Sequence, residues 1–194
     1  MVVSDMLKRS HFLIGAAAGI AVADLMDLPF VVGAVTGGLA ALAPDVDHPG
    51  SVVGKLLPRW WHRLTPGHRG PTHSLAWCAL LGLLVALFQR WATGEPFAWA
   101  GASMLVFAGS LSHVLADALT THGVPFLYPL TRRKWRPLGP LSFDTASWAE
   151  AVVTMAVLGL ALAFVGRGLY LPPDFTLLPR GITLPTVIYS RSRR

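Results

Sequence analysis

Apolar residues are gathered in five runs that are separated by prolines, glycines and short clusters of charge. The runs cover residues 11–23, 28–43, 74–89, 97–119 and 149–166. Several are shorter than the roughly 20 residues that a helix needs to cross a bilayer perpendicularly, and the first two are short enough to form a shallow helical hairpin. The pattern predicts an all-α fold, a polytopic membrane helical bundle of about four to five transmembrane or re-entrant helices.

The composition favours the same class of protein. Of the 194 residues, 53% are hydrophobic and only 13% are charged, and the mean hydropathy is +0.53. A soluble fold would struggle to bury so much apolar surface, so we expect one compact membrane unit. Residues 1–166 form the predicted bundle and residues 167–194 a tail, where four prolines exclude a regular long helix: Pro172, Pro173, Pro179 and Pro185.

The formal net charge of +6 does not point to nucleic acid, because the basic residues alternate with the apolar runs. Lys8 and Arg9 precede the first run, and basic clusters follow the second (residues 55–69) and the fourth (residues 132–136). The positive-inside rule then places the N-terminus and both basic loops in the cytoplasm. The tail, with three arginines after residue 190, would lie outside, which runs against this orientation.

A cleavable secretory signal is the alternative interpretation of the N-terminus. Lys8 and Arg9, followed by a short apolar stretch that ends in Ala21-Val22-Ala23, imitate such a signal. We favour a retained helix because His11 opens this stretch and belongs to the polar set described next.

Histidine and aspartate residues occur where four of the apolar runs reach the predicted cytoplasmic side. Ionisable groups are costly at the depth of a bilayer and usually mark a functional site there. Four segments that are far apart in sequence thus bring such residues to one end of the bundle. In the last segment, the i, i+4 spacing puts His113 and Asp117 on one helical face. The predicted ligand set is His11, Asp45, Asp47, His68, His73, His113 and Asp117.

Imidazole nitrogens and carboxylate oxygens together predict a site for divalent metal. These donors suit zinc, manganese or iron, and the single cysteine, Cys78, excludes a thiolate zinc cluster within the chain. We expect one or two ions, with zinc or manganese favoured. Each residue also has a simpler interpretation, since Asp45 and Asp47 could cap a helix and His113 with Asp117 could be a buried hydrogen-bonded pair.

Two further residues are predicted to act in catalysis. His48, beside Asp47, is expected to be a general base or an outer residue of the metal site. Arg69, close to His73, could hold a phosphate by paired hydrogen bonds, or could simply be a basic residue on the cytoplasmic side.

Three segments give the chain a family resemblance. They read LAPDVDH at residues 42–48, HRGPTHS at 68–74 and SHVLAD at 112–117, followed by Thr120 and Gly123. These segments, with Tyr128-Pro129-Leu130 and the basic run that ends at Trp135, resemble the YdjM-like family of bacterial inner-membrane proteins, for which a metal-dependent hydrolase activity has been suggested. The resemblance covers roughly residues 11–136. It implies a multi-pass protein of the bacterial inner membrane and a membrane-bound hydrolase with phospholipid as a candidate substrate.

We therefore expect a metal-dependent hydrolase, of phosphoesterase or phospholipase type, with its site at the cytoplasmic face. Membrane lipid is the expected surroundings and the candidate substrate, and no nucleic acid is expected as a partner. The leading alternative is a non-catalytic metal-binding or transport protein, for which ligands at several depths of the bundle are expected. A membrane scaffold that binds anionic lipid or protein through its basic loops is the third class.

Overall fold

The part of the chain that the structure describes folds into six α-helices joined by turns. The computed structural model describes residues 3–64, 69–94, 100–145 and 147–170. Its helices are α1 (Val3–Leu25), α2 (Phe30–Ala40), α3 (Arg59–Leu64), α4 (Leu75–Thr93), α5 (Ala100–Ala118) and α6 (Trp148–Tyr170). Within these residues the only β pairing is two isolated bridges, Thr120 with Phe143 and Val124 with Trp135. The expected all-α fold is confirmed.

Among the described residues, three segments are long and apolar enough to cross a membrane. They are Phe30–Asp47, Leu75–Thr93 and Ala100–Ala118. Of the five apolar runs, the last, in α6, gives a shorter apolar helix, Trp148–Ala163. The α4 surface is largely uncovered by the rest of the protein and carries exposed Leu80, Leu83, Leu87 and Phe88. Such a contiguous apolar face is typical of a surface that lies against lipid.

Local sequence explains where several of these helices begin and end. Pro29 precedes α2, and Pro44 opens the 3₁₀ turn Pro44–Asp47 that follows it. Ser74 caps α4 by accepting a hydrogen bond from the Trp77 amide at 3.2 Å. Gly94 ends α4 with φ +71°, a conformation that glycine adopts without steric cost.

Helices α1 and α5 are the centre of the bundle. Helix α1 packs on α2, α5 and α6, and α5 also packs on α2 and α4. Gly15 and Gly19 on α1, and Gly33 and Gly37 on α2, have the small-xxx-small spacing that lets two helices approach closely. A Cβ added at Gly19 would overlap the Gly33 carbonyl, and one at Gly15 would come within 2.6 Å of the Gly37 carbonyl oxygen.

A further glycine, Gly109 on α5, makes a similar close contact with α2. A Cβ there would overlap the Gly37 carbonyl and lie 2.9 Å from the Gly37 Cα. The α2 backbone is therefore held against both α1 and α5 close to the end of the bundle where the polar residues lie. The proposed tail begins at residue 167, within α6, and from residue 171 it lies outside the described residues.

Candidate metal centre

Five of the predicted ligands meet at one end of the bundle. They lie on four different structural elements, and two of them share α5. His11 is on α1, Asp45 is in the turn after α2, and His73 is in the 3₁₀ turn Pro71–His73 before α4. His113 and Asp117 lie one turn apart near the end of α5. All except Asp45 are buried, and Asp45 is partly buried.

The donor atoms lie within a few ångströms of one another. His73 Nε2 and His113 Nε2 are 3.2 Å apart, and each is 3.6 Å from Asp45 Oδ1. Asp117 Oδ2 lies 3.4 Å from His73 Nε2 and 3.6 Å from His113 Nε2. On the other side of the same carboxylate, His11 Nε2 is 3.5 Å from Asp117 Oδ1.

These spacings fit the coordination shell of a single metal ion. Bonds of about 2.0–2.2 Å place neighbouring donors around one ion about 2.8–3.6 Å apart in octahedral or tetrahedral geometry. In addition, Asp117 Oδ2 is buried and accepts no hydrogen bond from the described residues. A buried carboxylate oxygen without a donor is costly unless a cation compensates it. The donor chemistry and the geometry both match a divalent cation.

The imidazole of His113 is oriented for coordination. Its Nδ1 lies 2.6 Å from the Ala41 carbonyl oxygen. Because a carbonyl can only accept, Nδ1 carries the proton and Nε2 presents its lone pair to the other donors. The His11 ring stacks on His113 with centroids 3.8 Å apart, which fixes the position of His11 as well.

His73 is oriented from behind by Asp47. His73 Nδ1 lies 3.4 Å from Asp47 Oδ2, which also accepts a 2.7 Å hydrogen bond from the Thr72 hydroxyl. Burial lowers the pKa of His73, but its hydrogen bonds to Asp45 and Asp47 outweigh this effect and raise the pKa to about 9. The surrounding carboxylates therefore favour positive charge at this position.

The structure places Asp47 differently from the sequence-based prediction. Its carboxylate lies on the Nδ1 side of His73, whereas the Asp45 carboxylate faces the Nε2 atoms. The reason is the 3₁₀ turn: with about three residues per turn, side chains two positions apart point in different directions. Asp47 thus occupies the place of an outer carboxylate that holds a ligating histidine.

Arg69, predicted to hold a phosphate, contacts one of the predicted ligands in the structure. It is buried, with φ +62°, and its Nη2 donates to Asp117 Oδ1 at 2.7 Å while Nη1 donates to the Thr120 hydroxyl at 2.7 Å. Its guanidinium therefore holds a predicted ligand in place and neutralises part of the negative charge. The other two carboxylates, of Asp45 and Asp47, lie against His73.

Two other predicted residues are not among the converging donors. His48 is exposed and its Nδ1 accepts a 3.0 Å hydrogen bond from the Gly50 amide, so it has a role in the turn. His68 lies outside the described residues.

Sequence reasoning missed Glu150. This residue is buried on α6 and lines a cavity of about 20 Å³ with His11, Asp117, Thr120 and Thr145. A cavity of this size has room for one water molecule, and Asp117, Thr120 and Glu150 are polar residues in a lining that is otherwise mostly apolar. The signal was present in the sequence, because Glu150 is an ionisable residue next to an apolar helical run, and such residues usually mark a function.

Together, the fold and this cluster define a helical membrane protein with a candidate metal centre at one end of its bundle. The family model described as "YdjM inner membrane protein" matches residues 6–173. The chain therefore belongs to the YdjM family. The match also extends the resemblance beyond residues 11–136 to include α6, which carries Glu150.

None of the similar proteins below has a name that describes an activity, and two of the names give a location. The chain is 42% identical over 104 residues to "Inner membrane protein YdjM" of Escherichia coli (strain K12), which is 50% of this chain and 48% of that protein. The Shigella flexneri protein of the same name has the same identity and coverage. Both alignments thus span about half of these relatives. "Uncharacterized protein YvsG" of Bacillus subtilis (strain 168) is 32% identical over 160 residues, 81% of this chain and 91% of that protein. No solved structure matches.

Proposed function

We propose that the protein is a membrane-bound, metal-dependent hydrolase that acts on a phosphoester such as a phospholipid at the cytoplasmic face. One observation carries the proposal: the Nε2 atoms of His73 and His113 lie 3.2 Å apart, and each lies 3.4–3.6 Å from a carboxylate oxygen of Asp45 and of Asp117, which is the spacing of donors around an ion. The membrane location follows from the family and the three candidate spans.

Asp45, His73, His113 and Asp117 are the proposed ligands of the ion. His11 approaches the same centre through Asp117 Oδ1 and is a candidate fifth donor or the start of a second site. Since His113 Nδ1 is committed to the Ala41 carbonyl, His113 offers only Nε2, which favours a single ion over two ions that share this histidine. Zinc and manganese both suit these donors.

A divalent ion in such a site activates water and polarises the scissile group. The residues of this chain supply the rest of the arrangement. Arg69 holds Asp117 in position, Asp47 holds His73, and the cavity beside Asp117 and Glu150 has room for a water molecule next to the ligands. We leave His48 outside the proposed catalytic set because it is exposed and its Nδ1 is used in the turn with Gly50.

The alternative function is metal transport. A transport path requires donors at successive depths through the bundle. Both groups of potential ligands among the described residues share His113, and they form one cluster at one end. This arrangement favours hydrolysis over transport.

Metal analysis and a lipid-hydrolysis screen test the proposal together. Purified wild-type protein should contain about one equivalent of zinc or manganese and should release product from at least one phospholipid in a broad panel. Asp45→Ala should lose both the metal and the hydrolysis. If the wild type holds metal but hydrolyses no phosphoester, while liposomes show metal flux that Asp45→Ala abolishes, the transport function replaces the proposed one.

Reporter fusions test the orientation. Because basic loops favour the cytoplasm, fusions after Gly50 and Arg133 should read cytoplasmic and one after Gly94 should read external. Cytoplasmic activity of the Gly94 fusion alone would move the site to the opposite face and exclude a substrate in the cytoplasmic leaflet.

A further inference from the structure

A basic cavity adjoins the candidate metal centre on the side of Arg69. Its volume is about 370 Å³, and it is lined by Arg69, Gly70, Pro71, Pro125, Tyr128, Arg132 and Lys134. Three of these side chains are cationic, and none of the described residues that line it is acidic. A concave site of this size and charge suits a phosphate ester, which arginine binds with paired hydrogen bonds.

Arg69 connects this cavity to the proposed ligands. Its side chain lines the cavity, while its Nη2 atom donates to Asp117 Oδ1 at 2.7 Å. Because the charge of Arg69 is partly neutralised by Asp117, the positive charge of the cavity comes mainly from Arg132 and Lys134. Both are exposed, and a ligand can reach them from the surface.

The surroundings of the cavity point to a lipid as the source of the phosphate. Leu127 and Leu130, which flank Tyr128 in sequence, are exposed, at 50% and 88% of their surfaces. Trp135, next to Lys134, is also exposed. Exposed leucine and tryptophan beside arginine and lysine are typical of a loop that lies at the surface of a membrane containing anionic lipid.

We propose that this cavity binds the phosphate of a membrane phospholipid, with Arg132 and Lys134 as the binding cations and the Tyr128 hydroxyl as a further donor. The inference extends the proposed function, because it names the subsite that would hold the head group of the substrate beside the metal centre. The shared chemistry is a phosphate ester, which a soluble glycerol phosphate also carries.

Neighbouring arginines allow a matched test. Arg132 lines this cavity, whereas Arg133 lines the neighbouring cavity with Thr121, His122 and Phe126, and Lys134 lines both. Purified full-length protein in detergent would be titrated with short-chain phosphatidylglycerol, with sn-glycerol 3-phosphate and with the corresponding diacylglycerol. Arg132→Gln should weaken binding of phosphatidylglycerol about tenfold or more, as expected for loss of a charged hydrogen bond. Arg133→Gln, with the same change of charge, should stay within about twofold.

Each outcome decides between specific alternatives. Equal weakening by the two variants, or equal binding of diacylglycerol and phosphatidylglycerol, would overturn the subsite. Tight binding of sn-glycerol 3-phosphate that Arg132→Gln abolishes, without binding of the lipid, would keep a phosphate site but overturn its lipid source.

Binding does not require turnover, so the two proposals fail separately. Phosphatidylglycerol binding that depends on Arg132 in a protein without hydrolase activity would leave the subsite standing and remove the hydrolase. Hydrolysis of phosphatidylglycerol with unchanged KM in Arg132→Gln would leave the hydrolase standing and remove the subsite.

Discussion

Two neighbouring levels of the same helix pair have opposite chemistry. At one level, Gly37 of α2 and Gly109 of α5 bring the two backbones together with no side chains between them. One turn further along both helices, Ala41 accepts the hydrogen bond from His113 at 2.6 Å, and the polar cluster begins. The first level is governed by steric exclusion and the second by charge and hydrogen bonding.

The comparison indicates that the polar cluster depends on the glycine contact. A hydrogen bond from an imidazole to a backbone carbonyl forms only if the two helices are close, and glycines permit that approach. The contact therefore prepares the site before any ion binds, because His113 and the α2 backbone are already in place. Substitutions at the glycine contact should therefore weaken metal binding at the polar cluster, and substitutions in the cluster should lower stability, but by different amounts.

The largest effect is expected from Asp117→Ala. This change removes a proposed ligand and also leaves the buried guanidinium of Arg69 without its carboxylate, which typically costs about 3–5 kcal/mol. Metal content should fall to background and the melting temperature in detergent should drop sharply. Asp45→Ala is the control: it should also lose the metal, but with a smaller drop because no described contact links Asp45 to Arg69. Equal melting temperatures for the two variants would contradict this assignment.

A smaller loss is expected from Gly109→Ala. The added Cβ overlaps the Gly37 carbonyl, so α2 and α5 must move apart, at a cost of about 1–3 kcal/mol for overpacking. The same movement should lengthen the hydrogen bond from His113 to Ala41 and weaken metal binding. Gly159→Ala, where nothing lies within 4 Å of the added Cβ, should change neither stability nor metal affinity. Full metal affinity in a destabilised Gly109→Ala protein would show that the two levels are independent.

Asp47→Ala separates an outer carboxylate from a ligand. Since Asp47 supports His73 from the Nδ1 side, its loss should weaken metal binding about 10–100-fold without abolishing it. Metal titration of the wild type, Asp47→Ala and Asp45→Ala measures the three metal affinities, which should decrease in that order. Complete loss of metal in Asp47→Ala, as in Asp45→Ala, would restore the sequence-based prediction that Asp47 is a direct ligand.

The smallest effect is expected from His48→Ala. An exposed side chain that accepts one hydrogen bond within a turn should contribute little, so metal content and hydrolysis should stay within about twofold of the wild type. A general base would behave differently, with a rate decrease of about 100-fold or more at unchanged metal content. That result would return His48 to the catalytic set.

The sequence alone determined the class of fold and the residue types of the site. Apolar runs interrupted by Pro29, Pro44 and Gly94 are local signals, and they place the ends of α2 and α4 without knowledge of tertiary contacts. Histidine and aspartate in such runs also stand out by composition, because ionisable groups are rare there. The alternation of basic loops predicts that these residues share one end of the bundle, and His11, Asp45, His73, His113 and Asp117 do lie close together.

Only the tertiary structure decided which atoms each of these residues faces. Asp45 and Asp47 are the same residue type two positions apart, and the direction of a 3₁₀ turn relative to His73 separates the proposed ligand from the proposed supporting carboxylate. The roles of Arg69 and Glu150 depend on partners far away in sequence, since Arg69 contacts Asp117 across 48 positions and Glu150 reaches the site through the packing of α6 on α1. Periodicity and composition describe a residue's own segment. The distance between side chains on different helices is set by how closely the backbones pack, which here depends on the small residues at their contacts.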